Sequence, residues 1–381
     1  MASVYVHVPF CRQKCTYCNF YSSTRCGEIP LFLQCLEKEI KLKAGVLDGQ
    51  PLASLYIGGG TPSLLRPSAI QQIITEVEEV FGLESGAEIT MEANPNHLTE
   101  DYFRALKDTQ VNRLSIGVQS LSDAVLRRIR RVHTAAQAEA ALNLALKYGF
   151  TNLSADLIYG LPGSSLSQWE ADVRRLSALP HLSCYQLTVE PGSAIYLQLQ
   201  KGLEQLPPEE ETEAQYALLL SLLKEAGFTH YEVSNFCRGE AYSRHNTAYW
   251  QGKPYVGLGP GAHSFYGTLR QWNLSDVQAY CRLLADFPED GNWNVLENKI
   301  FEKEIITSEM AYEEYVMISL RTCWGCDLER VRTQWGEARH RHVLQQLSRY
   351  PEHYYTLQGS TLVLTETGLR FADGIAADFF L

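Results

Sequence analysis

The sequence predicts an α/β protein with a βα barrel, partial or complete, followed by a smaller, mostly helical C-terminal module. Up to about residue 235, short β-branched segments alternate with amphipathic ones, and this rhythm stops afterwards. Such alternation implies a parallel sheet with right-handed crossovers. Six strand–helix units suit a barrel better than an open doubly wound sheet, although the sequence alone leaves that second arrangement open.

The predicted strands are short runs of apolar and β-branched residues between polar turns. They are SVYVHV (3–8), SLYIGG (54–59), EITMEA (88–93), RLSIGV (113–118), SADLIY (154–159) and CYQLTV (184–189). Helical periodicity is clearest over 70–81, 138–149 and 216–227. The last two of these segments end in a glycine followed by an aromatic residue, which is a usual helix stop.

Three regions follow from this pattern. Residues 1–235 form the predicted barrel domain, and 236–289 form a connecting region of ordered loops that is rich in glycine, aromatic residues and histidine. Residues 290–381 are helical and charged, and they include a hairpin over TLVLTETG (361–368) before a final helix. This last region predicts a C-terminal module of winged-helix-like character.

Composition excludes several classes of partner. A net charge of −11 disfavours a nucleic-acid footprint. No apolar run approaches the roughly 18 residues that cross a bilayer, and MASVYVHVPF lacks the features of a signal peptide. We therefore expect a cytoplasmic protein without a transmembrane segment. The ten cysteines are then expected to be thiols or metal ligands rather than a disulfide framework.

Three cysteines crowd into eight residues directly after the first predicted strand, as Cys11, Cys15 and Cys18. In a βα barrel, the loops after the strands form the active-site face. Iron–sulfur clusters usually take four thiolates, so three would leave one iron open to another ligand. A structural zinc site would need a fourth cysteine or histidine nearby. The remaining alternative is three unrelated buried thiols.

The segment YVHVPFCRQKCTYC (5–18) resembles the radical S-adenosylmethionine superfamily, in the branch that contains oxygen-independent coproporphyrinogen III oxidase and haem chaperones. The resemblance covers nearly the whole chain. It implies a barrel of the radical S-adenosylmethionine type, a [4Fe-4S] cluster held by Cys11, Cys15 and Cys18, and S-adenosylmethionine on the open iron.

The same resemblance implies further cofactor contacts near the strand ends. Glycines after the second strand would let backbone approach a ligand closely. Each polar residue has the alternative role of a helix cap or a core hydrogen bond. The implied cofactor-binding residues are Tyr5, Tyr17, Gly59, Gly60, Thr61, Glu92, Gln119, Arg131 and Asp156.

A third pattern is HNTAYW (245–250). A histidine on a loop with aromatic residues just beyond it could coordinate haem iron and pack against the macrocycle, or it could be a hydrogen-bonded structural residue. The pattern HNxxYW is similar to a sequence associated with haem binding in the chaperone branch. The resemblance therefore implies haem as a third ligand, with His245 as the residue that binds it.

Two features favour a haem chaperone over the oxidase. The oxidase motif continues with a cysteine where this chain has Phe20, and the oxidase carries an extension ahead of its first strand, whereas only four residues precede Tyr5 here. The prediction is a protein that carries haem to an acceptor apoprotein. By resemblance, respiratory membrane proteins are natural acceptors, and any membrane association would be peripheral.

Two alternatives stay open from the sequence. One is radical oxidative decarboxylation of coproporphyrinogen III to protoporphyrinogen IX, which would make the protein an enzyme of porphyrin biosynthesis. The other is a radical enzyme that acts on an unrelated substrate.

Overall fold

The computed structural model describes residues 2–381 and centres on a 12-stranded sheet. Its first six strands lie side by side in chain order and are parallel. They are β1 (Ala2–Val8), β2 (Leu52–Gly59), β3 (Leu83–Ala93), β4 (Arg113–Gln119), β5 (Leu153–Tyr159) and β6 (His181–Gln186). A doubly wound sheet reverses its strand order at a switch point. The sequential order therefore confirms the partial barrel.

Helices join the successive strands. They are α1 (Ile29–Leu42), α2 (Pro67–Phe81), α3 (Glu100–Leu106), α4 (Asp123–Arg128), α5 (Ala135–Lys147), α6 (Leu166–Leu176), α7 (Ala194–Gln200) and α8 (Glu209–Glu225). The three predicted helical segments fall in α2, α5 and α8. Gly149 and Gly227, which follow the ends of α5 and α8, have φ values of 89° and 75°. These left-handed residues end the two helices as predicted.

The sixth strand begins earlier than the sequence pattern indicated. The prediction was 184–189, whereas β6 spans His181–Gln186. Its first residue, His181, is polar and buried, and its ring bonds to the hydroxyls of Ser154 and Tyr231 at 2.7 and 2.8 Å. A histidine that is satisfied inside the sheet gives no apolar signal, and this explains the shift.

The sequence predicts that the region 236–289 consists of connecting loops. The structure differs, because this region is made largely of regular elements. It contains strands and helices: β8 (Asn235–Arg238), α9 (Arg244–Trp250), β9 (Tyr255–Leu258), β10 (His263–Tyr266), β11 (Leu269–Asn273) and α10 (Val277–Ala285). Strand β9 pairs with β1 on the side away from β2, while β8 and β7 (Phe228–Glu232) extend the sheet beyond β6. Strands of four or five residues are too short to show a clear period.

The C-terminal part forms a second hydrophobic core that begins at Tyr312. Its elements are α11 (Ser308–Leu320), β13 (Cys326–Asp327), α12 (Leu328–Trp335), α13 (Glu337–Leu347), β14 (Tyr355–Gln358), β15 (Thr361–Leu364), α14 (Glu366–Leu369) and α15 (Ala372–Phe379). The order helix, strand, two helices and hairpin is typical of winged-helix modules. The predicted hairpin 361–368 is only its second strand, because α14 begins at Glu366.

The preceding residues still belong to the barrel. Strand β12 (Phe301–Ile305) pairs with β11, and Trp293 and Leu296 pack in the barrel core. The domain boundaries at 235 and 290 stay predictions. None of the helices within residues 2–381 combines the length and apolar character needed to cross a membrane.

Candidate functional site

A cavity of about 550 Å³ opens over the carboxyl ends of strands β2 to β6. This is the face at which βα barrels bind their ligands. Most of the predicted site residues line it, namely Tyr17, Cys18, Gly59, Gly60, Thr61, Glu92, Gln119, Arg131 and Asp156. Parallel strands that end at one edge bring these side chains together although they are far apart in the sequence.

The three predicted cluster cysteines lie on the loop after β1. The Sγ atom of Cys11 is 3.3 Å from Oγ1 of Thr61, Cys15 accepts a hydrogen bond from Arg131 at 3.6 Å, and Cys18 faces the cavity. Burial raises the pKa of the Cys11 and Cys18 thiols, and the neighbouring Cys15 raises both further. No three metal-binding side chains in residues 2–381 are already gathered around one point. The thiols would therefore have to close around an inorganic centre.

Three successive glycines at the end of β2 are required by the packing of the protein itself. A Cβ atom on Gly58 would lie 3.0 Å from the Glu92 carboxyl, and one on Gly60 would lie 2.6 Å from the Phe10 carbonyl oxygen. Gly59 has a φ of 108°, and a side chain there would meet the His7 ring at 2.6 Å. The glycines thus let the end of β2 approach both β1 and Glu92, and they leave amide groups at the cavity wall.

Glu92 is a buried carboxyl group of this cavity that two donors hold in place. The Tyr56 hydroxyl donates to Oε1 at 2.8 Å, and the Gly59 amide donates to Oε2 at 3.0 Å. Burial nevertheless raises the pKa of Glu92 to about 7. Burial also raises the pKa of Asp156, which accepts a hydrogen bond from Ser115 at 3.0 Å. Two buried carboxyl groups with raised pKa values suit a ligand that is cationic or bears hydroxyl groups, because either would interact with an ionised carboxylate.

Donors beside these carboxyl groups complete the cavity. Gln119 ends β4 in the left-handed region with a φ of 68°, a conformation that costs about 1 kcal/mol or more outside glycine. Arg131 is held by the carbonyl of Gly117, yet its buried Nε atom has no partner in the part of the chain that the structure describes. Buried donors are nearly always paired in proteins, so this nitrogen is available to a bound ligand.

Tyr5 does not line this cavity. Its hydroxyl is 3.0 Å from Nδ1 of His7, and its ring stacks on Tyr56 at 6.0 Å between centroids. Tyr5 therefore supports Tyr56, which in turn holds Glu92. The sequence predicts a direct contact between Tyr5 and a cofactor, but in this structure Tyr5 is not among the residues that line the cavity.

His245 lies on helix α9 rather than on the loop that the sequence suggested. Its side chain is buried, with the residue 1% exposed, and both ring nitrogens have protein partners. Nδ1 is 2.9 Å from the Ser54 hydroxyl, and Nε2 is 2.8 Å from the Tyr249 hydroxyl. Burial lowers the pKa of His245 to about 3. In this conformation no iron can reach the imidazole unless one of these bonds breaks.

A second cavity, of about 620 Å³, lies between α9, the strands β9 and β10, and helix α11 of the C-terminal module. Its walls come from distant segments, so no local sequence pattern predicts it. It is lined by Tyr185, Asn246, Tyr249, Trp250, Lys253, Tyr255, Phe265, Arg270, Met317 and Arg321, among others. Tyr185 and Asn246 also line the first cavity, so the two cavities share a wall.

The fold and the first cavity define a protein of the radical S-adenosylmethionine class, and a model of the Radical SAM superfamily matches residues 5–176. A heme chaperone HemW from Mycobacterium tuberculosis (strain H37Rv) is 34% identical and covers 98% of this chain and 93% of its own. Heme chaperone HemW from Bacillus subtilis is also 34% identical, over 89% and 88% of the two chains. The chain therefore belongs to the heme chaperone HemW family.

A solved structure agrees with the architecture. Coproporphyrinogen III oxidase (HemN) from Escherichia coli, described as a radical SAM enzyme, superposes with a TM-score of 0.83 at 23% identity. The match covers 99% of this chain and 89% of that one. At this identity the likeness shows the shared fold alone, and the function has to be argued from the sites.

Proposed function

We propose that this protein binds haem and passes it to an acceptor apoprotein, and that it carries a [4Fe-4S] cluster with S-adenosylmethionine in the first cavity. The observation that carries the haem proposal is the second cavity, because one of its walls is α9, the helix formed by the HNTAYW segment. Cavities of this size enclose ligands larger than an amino acid. The names of the relatives support the same reading.

The first cavity fits the implied cofactors by its donor set. Cys11, Cys15 and Cys18 would hold the cluster, and the unpartnered Nε atom of Arg131 and the buried carboxyl of Glu92 would face the cofactor. When bound, the cluster and S-adenosylmethionine together supply reductive cleavage of a carbon–sulfur bond to give a radical. The chain itself binds and orients the ligand and keeps water away from it.

We propose the other predicted contacts as part of this site: Tyr17, Gly59, Gly60, Thr61, Gln119 and Asp156 beside the cofactor, Tyr5 behind Tyr56, and His245 in the haem site. The second candidate function is decarboxylation of coproporphyrinogen III, and an assay for conversion of this substrate distinguishes it from haem transfer. The proposed acceptor is a respiratory protein of the membrane.

The proposal is tested on one anaerobic sample after reconstitution with iron and sulfide. We expect haem to bind in a one-to-one complex and to pass to an added apoprotein, without conversion of coproporphyrinogen III in the presence of S-adenosylmethionine and reductant. Catalytic appearance of vinyl product would favour the oxidase. Absence of haem binding by the reconstituted protein would overturn the chaperone proposal.

Glu92 is expected to make cofactor affinity depend on pH. S-adenosylmethionine carries an ammonium and a sulfonium group, and both favour an ionised carboxylate. Because the pKa of Glu92 is about 7, the carboxyl group ionises as the pH rises through neutrality. The affinity should then increase roughly tenfold between about pH 6 and about pH 8, as measured by calorimetry on the reconstituted protein. The groups around Glu92 are Asp156, Arg113 and Tyr56. They are the same in the wild type and in a Glu92 variant, so a difference between the two pH profiles reports on Glu92.

Glu92→Gln should remove the pH dependence and weaken binding by roughly tenfold or more, since a charge-assisted hydrogen bond is lost. Glu190→Gln makes the same chemical change at another residue of this cavity and should keep the wild-type pH profile. A Glu92→Gln protein whose affinity still rises between these pH values would show that another group is responsible.

A further inference from the structure

The second cavity offers few atoms that can bind haem iron. Its described lining contains neither histidine nor cysteine. Haem iron in proteins is bound by histidine, cysteine, methionine or tyrosine. Met317 and the tyrosines Tyr185, Tyr249 and Tyr255 are therefore the choices that the cavity provides. His245 lies behind Tyr249 and does not reach the cavity surface.

Tyr249 differs from the other tyrosines because its hydroxyl meets a base. The Ser54 hydroxyl donates its single hydrogen to Ser3 at 3.0 Å, so its contact with His245 requires the hydrogen on Nδ1. Nε2 of His245 then has a free lone pair, which accepts from the Tyr249 hydroxyl at 2.8 Å. The phenol oxygen of Tyr249 is thus polarised and held in place.

The position of the Tyr249 ring is fixed from two sides. It packs edge-on against the His245 ring at 4.8 Å and against the Tyr255 ring at 4.5 Å between centroids. The residues His245 and Tyr249 are four apart on α9 and so lie on one face of the helix. A planar ligand that enters the cavity meets the phenol first and the imidazole only behind it.

We propose that Tyr249, and not His245, is the protein ligand to haem iron, and that His245 is a positioning residue that acts through it. This assignment rests on the proposed function. Phenolate oxygen is a haem ligand in other proteins. The bond that forms joins Oη of Tyr249 to ferric iron, and the bond that breaks is the phenol O–H, whose proton leaves to solvent. No electron moves, and the iron stays ferric.

The rest of the cavity suits the edges of the same ligand. Trp250 and Phe265 offer aromatic surface, and Arg321, which follows the end of α11, lies over the Trp250 ring at 5.7 Å. Arg270 is paired with a carboxylate, whereas the exposed Lys253 has none within 4.0 Å among the described residues. A flat macrocycle with carboxylate side chains therefore finds both stacking surface and a free cation at this rim.

The assignment is tested by titrating ferric haem into the reconstituted protein and three variants. Tyr249→Phe should lose the phenolate-to-iron charge-transfer band and the matching phenolate vibrations in resonance Raman spectra, and it should bind haem roughly tenfold or more weakly. Tyr255→Phe makes the same change at the neighbouring cavity residue, keeps the ring that packs on Tyr249, and should keep the band. His245→Ala should keep the band but shift it, because the ligand remains and its partner is lost.

A Tyr249→Phe protein with an unchanged haem spectrum would overturn the assignment. So would a His245→Ala protein that loses all iron ligation while Tyr249→Phe keeps it, since His245 would then be the ligand. Unchanged circular dichroism and iron content in the variants show that the fold is intact. Failure of the unmodified protein to bind haem at all would instead overturn the proposed function, and this assignment with it.

Discussion

Replacing Cys15 with serine is expected to remove the iron–sulfur cluster almost completely. The assigned ligand set contains only three thiolates, so the cluster depends on each of them. A serine hydroxyl is a far poorer ligand for iron. Cys15 also accepts a hydrogen bond from Arg131, so its replacement removes one of the contacts between the loop and the cavity wall. Iron and sulfide per chain, measured after anaerobic reconstitution, should fall close to background, and the broad visible absorption of the cluster should vanish.

Cys26 provides the matched control for this change. It is a half-exposed free thiol near the same loop, and its Sγ atom lies 3.8 Å from the carbonyl oxygen of Cys11. Cys26→Ser should keep the wild-type iron and sulfide content. Equal loss in both variants would indicate that the whole loop, rather than a defined set of three ligands, is sensitive to substitution. Full cluster content in Cys15→Ser would refute the assigned ligand set.

The part of the fold that could be predicted is the part with a long, regular period. Strands β1 to β5 are apolar runs, and α2 and α8 carry periodic apolar faces, so both were visible in the sequence. The strands β9 to β11 were missed because each has only four or five residues and several are polar or glycine. Gly257 is one such residue of β9. It has to be glycine because a Cβ atom there would lie 2.0 Å from the His263 carbonyl oxygen, and a glycine adds nothing to an apolar strand pattern.

The two cavities were not equally predictable. Residues of the first follow strand ends in a barrel, and this placement alone brings Glu92 and Asp156 to one face. The second depends on how the C-terminal module packs on α9, which joins Tyr185, Tyr249 and Met317 from three distant segments. A motif does not tell which member faces a cavity. In HNTAYW the histidine is buried and the tyrosine lines the wall.

A buried ion pair that no sequence pattern revealed links the end of α1 to the large sheet. Lys43 and Glu39 are one helical turn apart, their charged atoms are 2.8 Å apart, and both side chains are almost fully buried. Lys43 also donates to the carbonyl of Gly257 at 2.8 Å, and Gly257 pairs with Tyr5 on β1. The pair therefore braces the junction between the cluster strand and the strands beside the second cavity.

Lys43→Met is expected to lower the free energy of unfolding by about 3–5 kcal/mol, because it leaves the Glu39 carboxylate buried without its counter-charge. Lys41→Met removes an exposed partner of Glu37, at 2.7 Å, and should cost about 0.5 kcal/mol or less. Urea unfolding, followed by circular dichroism and by tryptophan fluorescence, measures both, and coincident curves establish a single transition. Combining Lys43→Met with Glu39→Gln should recover much of the loss, since the unpaired charge is then gone. Equal effects of Lys43→Met and Lys41→Met would mean that burial of this pair contributes nothing to the junction.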